Sequence, residues 1–124
     1  MEQVPPQIKQ QLAQFQQMQQ QVQAIAMQRS QMEMQLREIE NTLDMVEKLK
    51  EDAELYQSTG SILIKSDKKK VSEDLKERKE TLSLRIATLQ KQEGKFQSKL
   101  KDMQEEIKQA LNMGSGIGSG VRAG

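Results

Sequence analysis

Two stretches of this chain repeat on a seven-residue apolar period, and a short β-prone segment separates them. In the first stretch the a positions are Ile8, Phe15, Val22, Arg29, Leu36, Leu43 and Lys50, and the d positions are Gln11, Met18, Ile25, Met32, Ile39 and Val46. In the second the d positions are Leu75, Leu82, Leu89, Phe96, Met103 and Ala110, and the a positions are Ser72, Lys79, Ile86, Glu93, Leu100 and Ile107. Apolar residues held at a and d over so many heptads mark helices that wind about a partner, because that period keeps one seam facing inward. Each stretch can serve as the partner of the other. The expected architecture is mainly α: a long antiparallel two-helix coiled coil joined by one β-hairpin.

The hairpin is read from Glu54-Leu55-Tyr56-Gln57-Ser58-Thr59-Gly60-Ser61-Ile62-Leu63-Ile64-Lys65. Leu55 and Tyr56 precede a Ser-Thr-Gly-Ser cluster, and the β-branched run Ile62-Leu63-Ile64 follows it. Gly60 can take the positive φ that a tight hairpin turn requires. Side chains alternate along a strand, so Ile62 and Ile64 point to one face and Leu63 to the other. A two-stranded hairpin is marginal in water, and one helix pair cannot cover both faces. Leu55, Tyr56, Ile62, Leu63 and Ile64 are therefore expected to carry oligomerisation, with strands of other subunits completing the sheet.

Antiparallel pairing sets an a residue of one helix against a d residue of the other. A pairing centred on residue 59, inside the turn, places Ile8 with Ala110, Phe15 with Met103, Met18 with Leu100, Leu36 with Leu82 and Leu43 with Leu75. In this register Arg29 faces Leu89 and Ile25 faces Glu93, so Arg29 and Glu93 are expected to form a polar pair that fixes register at some cost in stability.

Composition excludes most chemistry. Hydrophobic residues make up 35% and aromatics 2%, too little for an ordinary globular core. Cys and His are both absent, which removes disulfides and most metal and nucleophile options; no catalytic site, metal site or cofactor is expected. No phosphate loop, nucleophile elbow or dinucleotide fingerprint occurs, and the carboxylates sit on solvated helix faces, so the chain is not expected to be an enzyme. The net charge of +1, with no basic stripe, gives no reason to bind nucleic acid or an anionic membrane. No apolar run reaches a membrane span and no signal peptide is evident, so a cytoplasmic location is expected.

Pro5-Pro6 suits a helix start just after it, and Ser66-Asp67 offers a cap for the second helix. The expected segments are 1–6 as an N-terminal tip, 7–52 as helix 1, 53–66 as the hairpin, 67–113 as helix 2, and 114–124 as a flexible Gly/Ser-rich tail that also fits a cloning remnant. Lys68-Lys69-Lys70 reads as a solvated helix start, and the Lys and Glu of the outer face, such as Lys76 with Glu80, as solvated pairs. Between Gln10 and Gln23 the outward positions are almost all Gln. These are either polar filler or a face kept uncharged, so that varied sequences can approach without burying charge. Both termini should meet at one end of the stem. There Val4, Ile8, Leu12, Phe15, Leu111 and Met113, with Met1, Ile117 and Val121, form either a fraying end or an adaptable apolar binding tip.

Helix, one hairpin of the form Asp52-Ala53-Glu54-Leu55-Tyr56-Gln57-Ser58-Thr59-Gly60-Ser61-Ile62-Leu63-Ile64-Lys65, then helix: this layout closely resembles the archaeal-type prefoldin beta subunit. Leu12-Ala13-Gln14-Phe15-Gln16-Gln17-Met18-Gln19-Gln20-Gln21 is similar to that family's first helix, and Leu82-Ser83-Leu84-Arg85 more loosely to its second. The room for only two strands resembles the beta class, since the alpha class has two hairpins. The resemblance implies a hetero-hexamer of two alpha and four beta subunits, with hairpins building a double β-barrel platform from which the coiled coils hang. It also implies a co-chaperone whose tips hold non-native polypeptides without ATP and pass them to a group II chaperonin. The alternative is a structural spacer or scaffold subunit that binds one specific partner.

Overall fold

The computed structural model describes residues 4–123, with side chains described through Met113. Four elements follow in order: α1 (Pro6–Glu47), β1 (Leu55–Thr59), β2 (Ile62–Ser66) and α2 (Lys68–Ala123). The chain forms two compact units, one of Met1–Met27 with Gln90–Gly124 and one of Gln28–Leu89. We call them the terminal unit and the hairpin unit.

α1 starts where proline permits it. Pro6 occupies the first helical position, where its missing N–H costs nothing, and the amides of Ile8 and Lys9 both donate to the Pro5 carbonyl at 3.0 Å. The helix ends at Glu47, short of the expected Asp52. Its last turn tightens: Lys48 N–H donates to Met45 O at 3.3 Å and Leu49 N–H to Val46 O at 3.0 Å. Such three-residue bonds commonly close a helix. Lys50, expected at an a position, therefore lies beyond the helix and is exposed.

α2 begins behind Asp67, whose Oδ1 accepts from the Lys70 amide at 2.8 Å. That is an N-cap bond to the third helical residue. Its backbone runs on to Ala123, through the Gly/Ser-rich segment. Glycine weakens a helix by about 1 kcal/mol per residue relative to alanine. Yet extending a formed helix needs no new nucleus, and no proline follows Pro6 to stop it.

Every a and d position from Ile8 to Val46 and from Ser72 to Ala110 is buried or half-buried. Ile8, Val46, Ser72, Ile86 and Ile107 are the most enclosed seam positions, joined by Val71 just off the seam. Among the described residues no large side chain is wholly buried, as expected where two helices share one narrow interface. In the terminal unit Met18 and Met103 line one groove, walled by Gln14, Gln17 and Gln21 from α1 and by Lys99, Asp102 and Glu106 from α2. In the hairpin unit Lys79 meets Glu40 at 3.5 Å. Lys76, expected to pair along its own helix with Glu80, reaches Glu47 of α1 at 3.8 Å. Arg29 donates to Glu33, one turn on, at 3.0 Å. Arg29 and Glu93 each hold half-buried seam positions, one in each unit.

Candidate functional site

The hairpin is antiparallel, with Leu55 opposite Ser66, Tyr56 opposite Lys65, Gln57 opposite Ile64, Ser58 opposite Leu63 and Thr59 opposite Ile62. Two residues close it. Gly60 takes a φ of +62°, and it is the one glycine with positive φ among the described residues. Glycine at the first of two loop positions is the preference of a II′ turn, whose twist matches the strands it joins.

Alternation then sorts the side chains. Leu55, Gln57, Ile64 and Ser66 share one face; Tyr56, Ser58, Leu63 and Lys65 share the other. The first face lies toward α2: Leu55, Gln57 and Ser66 are half-buried, and Gln57 Nε2 donates to Asp74 Oδ2 at 3.3 Å. Asp74 also pairs with Arg78 at 3.3 Å. The cover is incomplete. Ile62 and Ile64 remain exposed near the turn, Tyr56 is exposed on the opposite face, and Leu63 there is 70% exposed. Both strands are edges of a two-stranded sheet, so each offers unpaired backbone groups beside apolar side chains. Such an edge is a template for further strands.

At the other functional candidate the residues divide. Leu12 and Leu111 are exposed, and Met113 is 73% exposed. Val4 and Phe15 are half-buried. Ile8, read both as a seam position and as a tip residue, is 6% exposed, in keeping with its a position. Leu12 precedes Met18 and Leu111 follows Met103, so in antiparallel helices both lie in the same direction from the groove those methionines share. Met1 and the side chains of Ile117 and Val121 lie outside the described residues.

Three features escaped the sequence reading. Lys68, read as solvated, is only 14% exposed, and its ammonium donates to the carbonyls of Glu47 at 3.1 Å and Leu49 at 2.9 Å. Val71 is buried one residue before Ser72. Met27, Met34, Met45 and Leu84 are exposed on outward positions; Met27 and Met34 are one heptad apart, a spacing the sequence did display. Among the described residues no cluster of His, Cys, Asp or Glu could hold a metal ion, and no helix is long and apolar enough to cross a membrane.

Two long helices joined by one two-stranded antiparallel hairpin define a mainly helical hairpin fold. The family model described as "Prefoldin subunit" matches residues 9–113, and the chain belongs to that family. Its structure is similar to the prefoldin beta subunit from Thermococcus strain KS-1, with a TM-score of 0.84 and 37% identity, over 90% of this chain and 97% of that one. The prefoldin beta2 subunit from the same strain shares the fold, with a TM-score of 0.67 and 20% identity, over 73% of this chain and 97% of that one. A comparison with curated proteins finds no match. The fold is thus that of a prefoldin beta subunit, and the family is one of non-enzymatic chaperones.

Proposed function

We propose that this chain is a cytoplasmic co-chaperone subunit that assembles through its hairpin and holds non-native polypeptides without ATP. Assembly is with alpha-class and other beta-class prefoldin subunits, two alpha and four beta, whose hairpins complete one another as a double β-barrel platform. Val4, Leu12, Leu111 and Met113 contact the client, with Ile8 and Phe15 joining when the helix ends part. Clients pass on to a group II chaperonin. Each contact is weak, and several subunits on one polypeptide raise its effective affinity through local concentration.

The observation that carries this reading is the two-stranded sheet with Tyr56 and Leu63 exposed on one face and Ile62 and Ile64 on the other. Such a sheet is marginal alone and has no intramolecular reason to present apolar groups on both faces. The membership in the prefoldin family supports the rest. The test is an aggregation assay with the assembled complex. Leu12→Ser, Leu111→Ser and Met113→Ser together are expected to leave the oligomer intact and to abolish protection of an unfolded client. Unchanged protection would favour a spacer that bridges fixed partners.

A further inference from the structure

The hairpin is attached to its two helices unequally. β2 ends at Ser66 and α2 begins at Lys68, so one residue, Asp67, joins them. β1 is separated from α1 by residues 48–54. A sheet joined tightly on one side and through a longer linker on the other can swing, unless something holds the linker.

Lys68 is placed to do so. Its ammonium has three N–H groups and no acceptor. Three oxygens surround it: Glu47 O at 3.1 Å, Leu49 O at 2.9 Å and Glu51 Oε1 at 3.5 Å. The Glu47 carbonyl is the last of α1, where helix carbonyls lack partners and the macrodipole is negative, and the Leu49 carbonyl belongs to the linker. Glu51 is 88% exposed and adds little, so the carbonyls dominate. Gln57 to Asp74 is the second tie, fastening β1 itself to α2.

We propose that Lys68 is a positioning residue for assembly: it pins the linker of residues 48–54 and so fixes the direction in which the hairpin presents its strands. Three consecutive residues then perform three tasks at one junction. Ser66 ends the sheet, Asp67 caps the start of α2, and Lys68 caps the end of α1. Fixing the hairpin in advance removes an ordering cost from association.

Two measurements test this. In the isolated chain, Lys68→Met is expected to speed amide hydrogen exchange across 48–54 about tenfold, the scale of a lost charge-assisted hydrogen bond, without changing the helical circular dichroism. Lys68→Arg keeps the charge but spreads its donors over a rigid plane, and is expected to recover less than half of that protection. Exchange within twofold of wild type in Lys68→Met, or full recovery in Lys68→Arg, would overturn the clamp. In sedimentation with an alpha-class prefoldin subunit, Lys68→Met and Gln57→Leu are each expected to raise the concentration at which the complex dissociates severalfold. Unchanged dissociation in both would overturn the positioning role. The sedimentation arm rests on the proposed role of the hairpin, whereas the exchange arm does not. A wild-type chain that fails to associate would therefore count against that role and leave the clamp to be decided by exchange.

Discussion

The terminal unit and the hairpin unit are built on the same seam but secured by different means. In the hairpin unit the helices are cross-tied by charge: Lys79 to Glu40, Lys76 to Glu47 and Lys68 to the end of α1. In the terminal unit α1 cannot contribute such ties for most of its length, because no charged residue stands between Lys9 and Arg29. Its wall of the Met18–Met103 groove is made of glutamine amides. Amides donate and accept without the large desolvation cost of a charge. The lesson is a division of labour written in side-chain chemistry. Beside the hairpin, the Lys68 and Asp67 caps hold the backbone, and the exposed ion pairs add little. Where the proposed function places the client, the groove is lined by methionine and amide groups, which suit many sequences.

The largest expected effect breaks the hairpin side of this contrast. Ile62→Lys with Ile64→Lys should convert the complex to monomers in sedimentation, because burying two ammonium groups in a shared sheet is prohibitive; an intact oligomer would remove the hairpin from assembly. Next come paired seam truncations. Ile86 in the hairpin unit and Ile107 in the terminal unit are 7% and 8% exposed. Each cut to alanine should cost about 2–3 kcal/mol in urea unfolding. A gap above about 1 kcal/mol would show that burial alone does not set the two units' stability. Gly60→Ala places a Cβ at a φ of +62° with open space around it. The cost is then conformational, about 1–2 kcal/mol, seen as faster exchange in β1 and β2. The smallest effect is Lys79→Ala. Both partners of its pair with Glu40 are more than a third exposed, so the loss should stay below about 0.5 kcal/mol by thermal melting.

Much of this was legible because a heptad repeat is a statement about one face of a helix, and burial follows the face. Every seam residue inside the helices obeys it, even Arg29 and Glu93. The turn was legible because one glycine sat where a left-handed φ was needed. Other features were not, for physical reasons. Whether Lys68 is solvated depends on where the carbonyls of residues 47 and 49 arrive in space, which no local pattern encodes. α1 ends at Glu47 although the heptad phase itself continues to Lys50. Ile8 belongs by pattern both to the seam and to the tip, and it is 6% exposed. Met27 and Met34 are exposed off the seam, on a face that the a and d positions do not describe.

One feature gives the molecule a built-in reporter. Tyr56 is the only tyrosine, and the sequence has no tryptophan. Its ring sits on the solvent-facing side of the hairpin. Excited at wavelengths that Phe15 and Phe96 do not absorb, the chain therefore emits from a single ring, on the face assigned to subunit contact. Association can be followed by that light alone, with no dye attached, and a signal that does not change on mixing with sister subunits would mean that this ring stays in water.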